Sequence, residues 1–258
     1  MADKIRIAQM RLMPVKGDLA GNQARLMPVL EEIGGLHPDV VITSEAYLDG
    51  YVVTEEYATR ENLAQWAIDP ATSPYTRAAS DWAREHNAWL VYGCSRLGAG
   101  GVHNSALIYD RVGRLYGVYD KLHIQTQDHK YAAGSVLPVF QSDFGPFGCL
   151  ICADRRWPEA VRSLALQGAR LILNPTYGMC NDLNLAMMRT RSFESEVFIA
   201  FTHPQQSLVT GPGGEILLDE RSEAPAYSLT ELDLARVDEI RAKPENHLKD
   251  RRPDVYCM

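Results

Sequence analysis

The chain of 258 residues reads as a layered α/β or α+β domain, and three observations predict this. Short apolar segments of strand character alternate with stretches of helical apolar spacing. A hairpin pattern lies in the middle of the chain, so the sheet must mix antiparallel pairs with parallel crossovers. No fixed-period repeat or low-complexity run interrupts the alternation.

The elements follow in order. Residues 5–10 read as a strand, 23–33 as a helix and 40–43 as a short buried strand ending at Ser44-Glu45. Ser73 reads as the cap of a helix running to His86, with Pro74 at its first position, where a missing N–H costs nothing. Residues 88–95 read as a strand. Residues 105–110 and 114–119 form the hairpin, turning around Arg111-Val-Gly113 and leading into Asp120-Lys121. The second half repeats the mixture. A strand runs to Cys152, a helix to Gln167, a strand covers 170–173, a helix 185–196 and a strand 197–202. Short strands follow at 207–210, 216–218 and 227–232.

No internal linker divides the chain, so residues 1–258 are expected to form a single domain, with residues 235–258 as an extended polar tail. The net charge of −7 carries no basic block, which argues against nucleic-acid or membrane-surface partners. The amino terminus lacks the apolar core of a signal peptide, and no segment approaches the roughly 20 apolar residues of a membrane helix, so a cytoplasmic location is expected. The five cysteines are odd in number and scattered, as reduced thiols would be. Cys149 and Cys152 form a C-x-x-C. Zinc or dithiol chemistry is its alternative meaning, but strand residues three apart face opposite ways and no second ligand pair completes a site. Neither metal nor cofactor is expected.

Cys152 ends the buried-looking strand Phe147-Gly-Cys-Leu-Ile-Cys152 and begins the polar turn Ala153-Asp-Arg-Arg-Trp-Pro-Glu159 that opens a helix. Helix-terminal N–H groups there could favour a thiolate or receive an oxyanion. A small buried core residue is the other reading of such a cysteine. Glu45 and Lys121 stand at the same topological address, each at the carboxyl end of a strand. If those strands share a sheet, an acid, a base and a thiol meet in one cleft. Read singly, Glu45 could be a capping or salt-bridged acid and Lys121 a surface cation closing the hairpin.

Three segments, Thr43-Ser-Glu45-Ala-Tyr-Leu-Asp-Gly-Tyr51, Tyr119-Asp-Lys121-Leu-His-Ile124 and Ile151-Cys152-Ala-Asp-Arg-Arg-Trp-Pro-Glu159, resemble the signature blocks of the nitrilase, or carbon-nitrogen hydrolase, superfamily. Supporting matches are Gly17-Asp18 with Asn22, His103-Asn-Ser-Ala, Leu173-Asn-Pro-Thr176 and Asp250-Arg-Arg-Pro-Asp-Val-Tyr256. The resemblance implies a four-layer α-β-β-α sandwich that pairs into homodimers or larger homo-oligomers. It implies Glu45 as general base, Lys121 and the Ala153 N–H as oxyanion stabilisers, and Cys152 as a nucleophile that carries a thioester. The expected reaction is hydrolysis of a non-peptide carbon-nitrogen bond of a small linear amide or N-carbamoyl compound, with a nitrile as the alternative substrate.

Members often carry a second glutamate after the lysine block, where this chain has the shorter Asp128. The run after Cys152 is similar to that of N-carbamoyl-D-amino acid hydrolases, in which paired arginines hold the substrate carboxylate; Arg155 and Arg156 match them, an internal ion pair with Asp154 or Glu159 being the alternative. The chain departs from those hydrolases in length, in a missing loop after the lysine block and in Ala153, where they carry asparagine. It also lacks the Cys-Trp-Glu of true nitrilases, and its segment 202–209 is abbreviated, which leaves the pocket's shape open. Two other classes remain: a non-catalytic binding module of the same fold, and a Cys-His hydrolase using His123 or His129. His123 is expected to be a structural hydrogen bonder.

Overall fold

The computed structural model describes residues 4–256, so Cys257 lies outside the described residues. Its strands are β1 (Lys4–Arg11), β2 (Val40–Ile42), β3 (Trp89–Gly98), β4 (Gly101–Tyr109), β5 (Leu115–Asp120), β6 (Val139–Ser142), β7 (Gly145–Cys149), β8 (Leu171–Pro175), β9 (Phe198–His203), β10 (Gln206–Thr210), β11 (Ile216–Arg221) and β12 (Ala226–Asp233). The helices are α1 (Leu19–Gly34), α2 (Pro74–Glu85), α3 (Pro158–Leu166), α4 (Asp182–Ser195) and α5 (Ala235–Arg241).

Among these residues the strands form two six-stranded sheets, ordered β12-β1-β2-β3-β4-β5 and β11-β10-β9-β8-β7-β6. Each sheet has a parallel centre and antiparallel flanks. In the first, β2 runs parallel to both β1 and β3; in the second, β8 runs parallel to β7 and β9. Side chains alternate across a strand, and the burial follows that period. Ile5, Ile7, Val40, Ile42, Val91 and Ile108 join residues of the second sheet in one buried cluster. Their neighbours Ala8, Met10, Val41, Leu90 and Leu107 pack instead with Leu26, Leu30 and Ile33 of α1 and Ala79, Trp82 and Ala83 of α2. The second sheet is covered on its far side by α3 and α4, through residues such as Val161, Leu164 and Met188. The result is the α-β-β-α sandwich, held mainly by apolar burial.

Several elements differ from the sequence expectation. The strand expected to end at Cys152 ends at Cys149, because Leu150 and Ile151 leave the ladder for a 3-10 turn, Cys152–Arg156. The expected hairpin is β4-β5, but its first strand starts at Gly101, so His103-Asn-Ser-Ala lies within β4, and β4 forms a second hairpin with β3. Its tight turn depends on Gly100 and Gly101, whose φ values of 85° and 140° suit glycine alone. Helix α1 starts at Leu19, where Asp18 accepts a hydrogen bond from the Gly21 N–H at 2.9 Å. β6 has only four residues and a mixed pattern that gave no strand signal.

The segment expected as an extended tail, residues 235–258, begins instead with α5. Val237 is buried in the main core and Asp238 pairs with Arg170 at 2.8 Å. Beyond it Asn246 folds the chain back, its side chain donating to the carbonyls of Arg241 and Lys243, and the His247 N–H donates to Glu196. A short helix with few apolar residues has too little periodicity to be read from sequence.

Candidate active site

The two sheets bring the ends of β2, β5, β7 and β8 together. After β2 the chain turns sharply, with Ala46 and Tyr51 at φ of 45° and 57°. The turn packs so closely on β3 that a Cβ on Gly93 would stand 2.2 Å from the Ser44 carbonyl oxygen. Glu45 is thereby buried at 1% exposure. Its Oε1 accepts from Lys121 Nζ and Asn104 Nδ2, both at 2.8 Å, and its Oε2 accepts from the Tyr177 N–H at 2.9 Å.

Lys121, also 1% exposed, follows β5 and donates to Asp128 Oδ2 at 2.5 Å as well. Asp128 therefore reaches the ammonium despite its shorter side chain, steered by the Tyr51 hydroxyl, which donates to Oδ1 at 2.5 Å. Burial works against the Lys121 charge, but Glu45, the Cys152 sulfur and Asp128 outweigh it and hold its pKa above the ordinary lysine value. Burial followed by the charges of Glu45 and Asp128 pushes the Tyr51 hydroxyl far up, so it remains a donor.

Cys152 opens the 3-10 turn with φ of 44°, a strained setting for a residue with a Cβ. Burial raises its thiol pKa, and Glu45 raises it further. Lys121, Arg155 and the Gly178 N–H pull the other way. Asp154 staples the turn: its carboxylate accepts from the Tyr119 hydroxyl, the Ile151 N–H and the His123 N–H, and pairs with His123 Nδ1 at 2.7 Å. His123 stacks on Trp157 with ring centroids 4.1 Å apart, the structural hydrogen bonder expected of it.

These groups surround a cavity of about 530 Å³, whose wall includes Cys152, Ala153, Lys121, Asp128, Tyr51 and Tyr177. Glu45 is not among the lining residues and is joined to them through its bond to Lys121. Among the described residues no group of His, Cys, Asp and Glu side chains is arranged to hold a metal ion.

A model of the carbon-nitrogen hydrolase family matches residues 4–242. The chain belongs to the carbon-nitrogen hydrolase family. It is 26% identical to a probable nitrilase of Schizosaccharomyces pombe over 98% of this chain and 97% of that protein. It is 24% identical to N-carbamoylputrescine amidase of Arabidopsis thaliana over 93% of this chain and 90% of that protein. An amidase from Nesterenkonia sp. has the same fold, with a TM-score of 0.78 at 21% identity, covering 97% of this chain and 94% of its own.

In this carbon-nitrogen hydrolase the paired arginines part company. Arg156 lines the cavity and donates to Gln125 Oε1 at 2.8 Å. Arg155 is only 1% exposed and is not among the residues lining the cavity. Neither pairs with Asp154 or Glu159; Arg191 of α4 instead holds their backbone carbonyls. Sequence reasoning assigned no task to Asn104, Tyr51 or Tyr177, which bond directly to the acids. The available signal was their place inside or next to the quoted blocks. No helix of the described residues is long and apolar enough to cross a membrane.

Proposed function

We propose that the protein hydrolyses a small linear amide or N-carbamoyl compound through a thioester on Cys152. The observation that carries the reading is that Lys121 and Cys152, from the ends of two strands, line one cavity large enough for a small substrate, with Glu45 from the end of a third strand bonded to Lys121. Glu45 takes the Sγ proton and the sulfur attacks the carbonyl carbon. The Lys121 ammonium and the Ala153 N–H stabilise the oxyanion. Glu45 then delivers the proton to the departing nitrogen, the carbon-nitrogen bond breaks, and ammonia or an amine leaves. Water, deprotonated by Glu45, attacks the thioester; the acid departs and the Cys152 thiol is restored.

A Cys-His mechanism is disfavoured, because His123 Nδ1 is committed to Asp154 and His129 Nδ1 to the Thr126 carbonyl, whereas Glu45 is bonded to Lys121 beside the sulfur. Arg156 is the cation we assign to a substrate carboxylate. A panel of amides, N-carbamoyl amino acids and nitriles assayed for ammonia release tests the substrate class. Intact mass should show an acyl adduct that Cys152→Ala lacks. A protein that never acylates would instead be a binding module, and equal rates with and without a substrate carboxylate would sink the Arg156 assignment.

A further inference from the structure

Arg155 is a buried cation that the thioester chemistry leaves without a task. Its Nε donates to Asn184 Oδ1 at 2.7 Å and its Nη2 to the Met179 carbonyl at 2.8 Å, while the guanidinium lies 5.1 Å from the centre of the Phe201 ring. Nη1 stands 3.6 Å from Cys152 Sγ. Among the described residues Arg155 makes no ion pair, although a guanidinium stays charged at any ordinary pH and a buried charge without an anion is costly. A group so costly to bury needs a counter-ion, and the atom it faces is the sulfur.

Charge balance points the same way. Glu45 and Asp128 contribute two negative charges, and Lys121, bonded to both, contributes one positive charge. That cluster carries a net negative charge before any thiolate forms. Transfer of the Cys152 proton to Glu45 moves one of those negative charges onto the sulfur, where the repulsion from Asp128 remains and a nearby positive charge is needed. Arg155, which does not line the cavity, supplies a positive charge 3.6 Å from the sulfur.

We propose that the Arg155 guanidinium is the counter-ion of the Cys152 thiolate, held by Asn184 and Met179, and that it does not anchor the substrate carboxylate. The inference rests on the reading of Cys152 as the nucleophile. The other groups facing the sulfur are Glu45 and Tyr51 from the segment after β2, Lys121 after β5, itself bonded to Asp128, and the Gly178 N–H after β8. His203 of β9 faces Arg155; burial, with a contribution from the Arg155 charge, pushes it down to about 4, so it is neutral where a thiol titrates.

The test is the pH dependence of Cys152 alkylation by iodoacetamide, followed on its own peptide by mass spectrometry, which needs no substrate. Arg155→Met should move the midpoint of the profile up by at least one pH unit, an approximately tenfold slower reaction at neutral pH. Arg155→Lys, which keeps the charge but not both hydrogen bonds, should move it by less than half as much. Asn184→Asp provides a second route that keeps the arginine. It sets a carboxylate of the same size against the guanidinium, in place of an amide whose Nδ2 has no partner, and should raise the midpoint as Arg155→Met does.

Unchanged midpoints in folded Arg155→Met, or in Asn184→Asp if the former does not fold, overturn the proposal. So does a loss of kcat/KM in Arg155→Lys confined to substrates with a carboxylate. Failure of Cys152 to acylate would refute the thioester reading separately, since alkylation reports on the sulfur alone.

Discussion

At the residue scale the site is a problem in burying charge. Lys121 holds two carboxylates inside the protein, and removing one partner of such a network leaves its anions bare. Lys121→Ala should therefore lower stability by about 3–5 kcal/mol in chemical denaturation and lower kcat by about 10²–10³, as loss of an oxyanion donor does. Adding Asp128→Asn should recover part of the stability and none of the turnover. If Lys121→Ala keeps most of its activity, the ammonium has no part in the chemistry. Asp128→Glu probes position rather than charge: a displacement of about 1 Å can cost around a hundredfold in rate, so the longer acid should depress kcat. The positions of Glu45, Lys121 and Cys152 just beyond strand ends were legible in the sequence because each follows an apolar run. The partners that hold them were not. Tyr177 serves Glu45 through its backbone N–H, which no side-chain pattern reveals, and Arg155 reads like its neighbour Arg156 until the fold turns one inward.

At the element scale the segment after β2 carries both Glu45 and Tyr51, and Asp49 fastens it. Asp49 is fully buried and accepts from the Ser95 N–H at 2.7 Å and the Val52 N–H at 3.4 Å. Burial pushes its carboxyl up from 3.8 to about 7, against the pull of those hydrogen bonds. Between pH 4 and 7 the folded protein thus keeps a proton that the unfolded chain gives up, so stability falls as pH rises and the loss is complete above about 7. Asp49→Asn has no such titration. Its unfolding free energy relative to the parent should improve by about 2–3 kcal/mol between pH 5 and pH 8, measured by urea denaturation at each pH. A difference independent of pH would mean that Asp49 is ionised in the fold throughout. Elements were legible where apolar periodicity was strong, as in β1, α2 and β9. β6 and α5 are short and largely polar, so their existence depends on neighbours: β6 on pairing with β7, and α5 on docking Val237 into the core.

At the scale of the whole molecule the site is divided between the sheets. Glu45 and Lys121 leave the first sheet; Cys152 and Tyr177 leave the second. Their alignment depends on how the sheets pack, which is fixed by apolar contact and by few polar links, such as Gln9 of β1 donating to the Phe201 carbonyl of β9 at 2.7 Å. Catalysis should therefore respond to where the core is disturbed and not merely to how much stability is lost. Ile42, three residues before Glu45, lies in the cluster shared by both sheets, whereas Ile33 lies in the cluster between the first sheet and its helices. Both are fully buried, and truncation of either to alanine should cost about 2–5 kcal/mol. Ile42→Ala lets the sheets settle toward each other and shifts Glu45 against Cys152; a shift near 1 Å would lower kcat by as much as a hundredfold, with the enzyme still folded. Ile33→Ala relaxes an outer layer that no catalytic side chain crosses, and its kcat should stay within about twofold of the parent at a temperature well below either transition. Equal losses of kcat in the two variants would show that the division of the site between the sheets has no consequence for its alignment.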